Sequence, residues 1–125
     1  PPPKGYSSRG EFVKVAGQKV KVEIADTPAL QAQGLSGREG LKEGEGMLFV
    51  FAQSGGYKFW MKDMKFAIDI IWLDGKKEII YIKENAKPED YPKSYGPNQD
   101  ASYVLEVIAG FTDKYSVKMG DKVEF

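Results

Sequence analysis

Two carboxylates could do chemistry in this chain, because each is the only acid in an apolar run that is typical of a buried strand. Asp69 interrupts residues 66–73 (FAIDIIWL), and Glu106 interrupts residues 102–108 (SYVLEVI). A buried carboxylate must be paired, hydrogen-bonded, protonated or placed at the mouth of a cavity, since an isolated buried charge is costly. If the two strands are neighbours, the acids could form a carboxylate pair for general acid–base or glycosidic chemistry.

The same acids could instead serve the fold. Each could accept hydrogen bonds or pair with Arg38 or Lys62, and so hold loops to the sheet; buried ion-pair networks do this without any chemistry. The sequence supplies no nucleophile and no metal motif beside them. Both interpretations of Asp69 and Glu106 therefore stay open at this stage.

A candidate binding surface extends from Trp60 to Asp69. Side chains alternate across a strand, which makes Lys62 a plausible partner for an inward carboxylate at Asp69. Aromatic side chains near this stretch and in a later loop could form a flat platform for a sugar or peptide, or could be ordinary packing; they are Tyr57, Trp60, Trp72, Tyr91 and Tyr95. The predicted ligand-binding residues are Arg38, Trp60, Lys62, Asp63, Asp69 and Glu106.

Composition excludes several classes of function. The 125 residues include no cysteine and no histidine, which removes thiol nucleophiles, disulfides, zinc sites built on these residues and Ser-His catalysis. The 18 basic and 18 acidic side chains cancel, so we expect neither nucleic acid nor an anionic membrane surface as the main partner. No apolar run approaches the length of a membrane span. We expect no metal, no cofactor and a monomer.

Local patterns predict a mainly β domain that positions these residues. Residues 12–16 and 20–25 alternate around Gly17-Gln18 as a hairpin, and Asp74-Gly75 forms the turn of a second one. Asp26-Thr27-Pro28 is typical of a helix start, with Thr27 or Asp26 as the cap and Pro28 in the first turn, and Gly34 or Gly37 at the helix end. Residues 85–100 read as a long surface loop.

The domain organisation follows from the same patterns. Residues 1–10 (PPPKGYSSRG) are predicted to be a flexible leader, and residues 11–125 a single β-rich α+β domain. We expect a compact antiparallel sheet, barrel-like or sandwich-like, with one or two short helices.

Several ordered motifs resemble the domain of unknown function 192 family. They are Ala25-Asp26-Thr27, Gly34-Leu35 with Arg38, residues 46–51 (GMLFVF), residues 59–62 (FWMK), residues 69–71 (DII), residues 104–107 (VLEV), Ala109-Gly110 and Gly120-Asp121. The resemblance implies a compact, mostly β domain without an assigned activity, and an exported or envelope-associated location, with a cytoplasmic one left open. Ser36, Asp63 and Ala67 depart from the family's usual methionine, asparagine and proline.

These observations lead to three hypotheses on function. The first is an exported or envelope domain that binds a small polar ligand or peptide at the surface between Trp60 and Asp69. The second is a carboxylate-based hydrolase that uses Asp69 and Glu106. The third is a structural accessory domain without a ligand. Whether the protein is an enzyme stays open.

Overall fold

The structure is a computed structural model that describes residues 11–125, so the predicted leader at residues 1–10 lies outside the described residues. The described chain is mostly β-strand with two short α-helices and one 3-10 turn. In order, its elements are β1 (Phe12–Val15), β2 (Gln18–Ala25), α1 (Pro28–Gln33), β3 (Glu45–Gly55), β4 (Phe59–Trp60), β5 (Ile68–Leu73), β6 (Ile79–Ala86), the 3-10 turn Pro88–Asp90, β7 (Ser94–Tyr95), β8 (Ala101–Ile108) and α2 (Phe111–Lys114).

Six strands form one mixed, open sheet in the order β1-β2-β3-β8-β5-β6. All neighbours are antiparallel except β2 and β3, which run parallel. A parallel pair needs a crossover connection, and here the chain passes through α1 before it returns as β3. The mostly β prediction with short helices is confirmed, whereas the barrel-like closure is wrong because β1 and β6 do not pair with each other. The C-terminal segment instead forms isolated bridges beside these two edges, Lys14 with Glu124 and Glu78 with Lys122.

Strand β5 forms the centre of the molecule, because all six of its residues are buried. Its side chains alternate between two apolar clusters, with Ile70 and Trp72 in one and Ile71 and Leu73 in the other. The buried strand predicted at residues 66–73 is thereby found, and its side chains alternate as those of a strand do. We call the side that carries Ile70 the α1 face and the side that carries Ile71 the α2 face.

Each face is covered by one helix and its flanking chain. Leu35, just after α1, is buried on the α1 face. Phe111 of α2 and Val117 are buried on the α2 face. The sheet is therefore buried on both sides, which explains why its central strands read as nearly continuous apolar runs.

Both predicted turns and the helix start are confirmed. The N–H of Leu30 donates to Thr27 Oγ1 at 3.2 Å, so Thr27 caps α1, and Gly34 ends the helix. Strands β1 with β2 and β5 with β6 are antiparallel hairpins. Asp74 Oδ1 accepts the N–H of Lys76 at 2.9 Å and stabilises the second turn.

The predicted long loop contains structure that its sequence does not reveal. Strand β7 within it pairs with β4, where Tyr95 lies opposite Phe59. Tyr95 Oη donates to Asp90 Oδ2 at 2.6 Å. Burial first, and then this hydrogen bond, raise the pKa of Tyr95 to about 12. The loop is thus held on the α1 face, close to Trp60.

Within residues 11–125, no helix combines the length and apolar character that crossing a membrane would require.

Candidate functional site

Asp69 and Glu106 lie on opposite faces of the sheet. In the β5–β8 ladder Glu106 is opposite Ile70, whereas Asp69 is opposite Val107. Side chains that are directly opposite share a face, so an offset of one residue separates the two acids. Glu106 is on the α1 face and Asp69 on the α2 face, which corrects the hypothesis of a carboxylate pair.

Asp69 is fully buried, and its carboxylate is saturated with hydrogen bonds. Oδ1 accepts the N–H of Asn85 at 2.9 Å and of Gly110 at 3.3 Å, and Oδ2 accepts the N–H of Thr112 at 2.9 Å and its hydroxyl at 2.7 Å. These donors belong to the end of β6 and the start of α2. Asp69 therefore ties both segments to the sheet, and Lys62 is not its partner.

A shallow pocket of about 450 Å³ adjoins Asp69 and has acidic walls. Thr112 Oγ1 also lies 3.2 Å from Glu84 Oε1, but one hydroxyl proton serves one acceptor at a time, and Asp69 is nearer. In the described part of the chain, no group of three histidine, cysteine or acidic residues is arranged to hold a metal ion. The polar groups beside this pocket therefore serve the fold, through their hydrogen bonds with Asp69.

Arg38 lines a different pocket from the other predicted binding residues. Its guanidinium forms an ion pair with Glu23 Oε2 at 2.5 Å, and both side chains are half-buried. The pair borders a separate small pocket of about 230 Å³ that also contacts Met47. Arg38 thus pairs with an acid of β2 and lines this pocket, whereas Trp60 lines a separate cleft.

A cleft of about 630 Å³ opens on the α1 face and is larger than the two pockets described above. Its walls come from α1, the turn after α1, strands β3 and β4, the turn after β4, and β8. Of the predicted binding residues, the cleft brings together Trp60, Lys62, Asp63 and Glu106. Its size is within the range of small-molecule sites, which are commonly about 300–1,000 Å³.

Aromatic rings line one side of this cleft as a continuous wall. Phe51 stacks on Tyr57 with 3.7 Å between ring centroids, and Phe49 meets Phe59 edge-to-face at 4.8 Å. Phe59 in turn contacts Trp72 in the core at 5.8 Å, and the Trp72 indole N–H donates to the Tyr57 carbonyl. Because the rings support one another and the core, the wall is rigid.

Glu106 lies at the inner end of the cleft and is only 5% exposed. Burial raises the pKa of its carboxyl to about 8. Across residues 11–125, no hydrogen bond or ion pair joins this carboxylate to another residue. A nearly buried, unpartnered acid is costly unless something satisfies it, so it stands out against the saturated carboxylate of Asp69.

The rim of the cleft is polar and partly aromatic. Trp60 is 50% exposed and rests against Tyr91 at 5.2 Å between ring centroids. The ammonium of Lys62 lies 5.8 Å from the Trp60 ring centroid. Asp63 is exposed beside it at φ 59°, a left-handed conformation that asparagine and aspartate adopt more readily than most residues. That preference explains how aspartate substitutes here for the family's usual asparagine.

Backbone contacts fix the cleft's walls. The Gln31 side-chain amide donates to the carbonyls of Ala25 at 3.2 Å and Val50 at 2.9 Å, which holds α1 against β2 and β3. Ser36 Oγ donates to the Lys62 carbonyl at 2.9 Å, joining the turn after α1 to the turn after β4. This hydrogen bond connects the two turns at the rim of the cleft.

Gly46 allows β3 to pack closely against β8 at Glu106. A Cβ at this position would lie 2.6 Å from the Glu106 carbonyl oxygen. Since real Cβ atoms do not approach a carbonyl this closely, any larger residue must displace the strand that carries Glu106.

Sequence reasoning missed part of the cleft lining. The missed residues are Gln31, Ser36, Phe49, Phe51, Phe59 and Met64. Alternation along β3 could have placed Phe49 and Phe51 on one face, but not on the same face as Glu106. That requires the strand order, which the sequence does not give.

The sequence comparisons identify a family without an assigned activity. Residues 11–125 match the family model DUF192, described as an uncharacterized ACR. Among curated proteins, none matches the chain.

Two crystal structures are closely similar to this chain. A protein of unknown function from Novosphingobium aromaticivorans DSM 12444 has a TM-score of 0.90 and 31% identity, covering 100% of this chain and 90% of its own. A proposed transcription regulator from Sinorhizobium meliloti 1021 has a TM-score of 0.89 and 29% identity, covering 98% and 97%. The similarity thus extends over at least 90% of each of the three chains.

Proposed function

Since this chain belongs to the DUF192 family, which is described only as uncharacterized, we propose its function from its own cleft: it is a binding domain for a small polar ligand or a short peptide. The ligand occupies the cleft on the α1 face, between the aromatic wall and the rim formed by Trp60, Lys62 and Asp63. Asp69 has no part in this site, because it faces the other side of the sheet.

The observation that carries this proposal is the state of Glu106. The Glu106 carboxyl is 5% exposed, has no partner in the described chain and opens to a 630 Å³ cleft, so it supplies a polar anchor beside the aromatic wall. Small-molecule sites commonly combine apolar walls with a few polar groups that fix orientation. A domain with a purely structural role gains nothing from leaving this acid unsatisfied.

A ligand screen by thermal shift tests the proposal. A compound at about a hundred times its Kd stabilises a protein by roughly 2.7 kcal/mol, which is easily detected. The library should contain small polar molecules and short peptides. Hits are then repeated on Trp60→Ala, because a half-exposed rim residue can be removed without a large loss of stability.

Phe12→Ala is the matched control for Trp60→Ala. Phe12 is 46% exposed and, like Trp60, has a lysine ammonium over its ring, yet it lies on β1 and does not line the cleft. We expect Trp60→Ala to weaken the ligand-induced shift and Phe12→Ala to leave it intact. If no compound stabilises the wild type, or if both variants respond like the wild type, the accessory-domain hypothesis replaces this one.

The proposal does not extend to DNA binding, although one structural neighbour is named as a proposed transcription regulator. The formal net charge is zero, with 18 basic and 18 acidic side chains. Binding to a nucleic-acid backbone is driven by an excess of basic over acidic groups, and this chain has no such excess.

We also propose an exported or envelope-associated location, on the family resemblance alone. Cell fractionation of the full-length protein tests it. Recovery with the periplasmic, secreted or membrane fraction supports the proposal, and recovery with the cytoplasmic fraction contradicts it.

A further inference from the structure

We propose that the ligand of this cleft ends in a primary ammonium group on a short alkyl chain, and that Glu106 is the residue that receives it. This inference rests on the proposed binding function and names its ligand class. Both a free alkylamine and the side chain of a lysine in a peptide have this chemistry.

The first argument is the position of the Glu106 carboxylate. It is the acceptor at the inner end of the cleft, 5% exposed and without a partner in the described chain. An ammonium group carries three donors and no acceptor, so it satisfies a carboxylate without leaving an acceptor of its own unpaired. A charge-assisted bond of this kind is roughly twice as strong as a neutral one.

The second argument is the aromatic wall that a ligand must pass to reach Glu106. Phe49, Phe51, Tyr57, Phe59 and Trp60 all line the cleft. The face of an aromatic ring attracts a cation, and its apolar surface suits an alkyl chain. The protein already places one ammonium beside this wall, since Lys62 Nζ is 5.8 Å from the Trp60 ring centroid. A neutral alkyl alcohol would make the same apolar contacts but would lack the attraction between a cation and the rings.

The titratable groups that line the cleft determine whether a proton is taken up or released when a ligand binds. Besides Glu106 they are Tyr57, Lys58, Lys62 and Asp63. Lys58 is held outward, because its ammonium donates to the carbonyls of Gly96 at 3.0 Å and Pro97 at 2.7 Å. Because burial raises the pKa of Glu106 to about 8, the ammonium binds as Glu106 releases its proton to solvent. Binding is therefore linked to proton release.

Isothermal titration calorimetry between pH 6 and pH 9 tests this inference. The probes are butylammonium and Nα-acetyl-lysine N-methylamide, with 1-butanol as a neutral match for the first. We expect the affinity for both amines to rise as the pH rises toward 8, by up to roughly tenfold per pH unit, since each unit of pKa difference corresponds to a factor of ten. Proton release should appear as a dependence of the heat on the buffer.

The two amine probes separate the two sources of the ammonium group. Tighter binding of the lysine derivative indicates a peptide side chain, and tighter binding of butylammonium indicates a free amine. Either result supports the inference, provided that 1-butanol binds at least tenfold more weakly.

Three variants complete the design. Glu106→Gln should abolish the rise of amine affinity with pH. Lys62→Ala should strengthen amine binding because it removes a like charge from the rim, whereas Lys118→Ala, an exposed lysine outside the cleft, should leave it unchanged.

Two kinds of failure are distinguishable. If 1-butanol binds as tightly as the amines, if amine affinity falls toward pH 8, or if neutral compounds bind in the cleft while amines do not, the ammonium inference is overturned and the binding function stands. If no compound of any class binds, both are overturned.

Discussion

The carboxylates of Asp69 and Glu106 emerge on opposite faces of one sheet, because Asp69 lies opposite Val107 while Glu106 lies opposite Ile70. The first carboxylate accepts four hydrogen bonds, and the second has no partner in the described chain. Two acids that look alike in sequence therefore have different roles. The hydrogen bonds of Asp69 stabilise the fold, and Glu106 is the acid that we propose for ligand binding.

Asp69→Ala should lower the free energy of unfolding by on the order of 3 kcal/mol or more. The change leaves three backbone N–H groups without their acceptor, and each buried unsatisfied donor costs about 1–3 kcal/mol. Urea unfolding followed by tryptophan fluorescence measures the loss.

Asp69→Asn should cost less than Asp69→Ala, but more than an exposed substitution. Asparagine keeps one acceptor oxygen, but an amide NH₂ group replaces the other oxygen of Asp69. This NH₂ group would face N–H or O–H groups that are themselves donors. Binding in the cleft should be unchanged in folded Asp69→Asn, because the residue is on the other face. An Asp69→Ala variant as stable as the wild type would contradict the assigned role.

Glu106→Gln should remove a pH dependence of stability. Because burial raises the folded-state pKa from 4.5 to about 8, the folded protein holds a proton that the unfolded chain has lost between these values. The contribution of Glu106 to the stability of the wild type is therefore largest below pH 4.5. As the pH rises toward 8, the free energy of unfolding falls by up to about 1.4 kcal/mol per pH unit. The loss levels off above pH 8.

The measurement is the difference in unfolding free energy between the wild type and Glu106→Gln at several pH values from 5 to 9. Taking the difference cancels the contributions of all other titrating groups. We expect the free energy of unfolding of Glu106→Gln, relative to that of the wild type, to increase steadily up to about pH 8. A difference that is constant across this range would mean that Glu106 titrates normally.

Gly46→Ala should destabilise the protein by on the order of 1–3 kcal/mol. The new methyl group would press on the Glu106 carbonyl, 2.6 Å away, and force β3 from β8. Gly40→Ala is the control, because no atom lies within 4 Å of a Cβ at that position. Equal melting temperatures for the two variants would show that the strands accommodate the methyl group.

Arg38→Ala and Lys62→Ala should behave differently. Arg38 forms a half-buried ion pair with Glu23, so its loss should reduce stability by up to about 1 kcal/mol and leave ligand binding intact. Lys62 is exposed on the cleft rim, so its loss should leave the melting temperature unchanged and alter ligand-induced stabilisation. Thermal shift on both variants, with and without ligand, decides this. Identical behaviour of the two would contradict the placement of Lys62 in the site.

The local structure of this fold could be predicted because it depends on near neighbours in sequence. The alternation in β5 and the turn at Asp74 follow from period-two patterning and turn chemistry, and both are found in the structure. The helix start follows in the same way, and the structure selects Thr27 over Asp26 as its cap.

The site could be predicted only in part, because it depends on strand order and register. One cleft does contain Trp60, Lys62, Asp63 and Glu106. Asp69 is not part of it, because the register of β5 and β8 is shifted by one residue from the one that would place Asp69 opposite Glu106. Strand β7 has two residues and no periodicity of its own. Tertiary contacts create it, so the sequence alone gives no signal for it.

The titration of the Glu106 carboxyl by ¹³C NMR tests the central claim most directly. Protein labelled at the glutamate carboxyl carbon, with Glu106→Gln to assign the signal, is titrated alone, with butylammonium and with 1-butanol. The account predicts a midpoint near pH 8 in the free protein, a clearly lower midpoint with butylammonium and no change with 1-butanol. A midpoint near the ordinary value of 4.5 in the free protein, or one that butylammonium leaves unchanged, would contradict it.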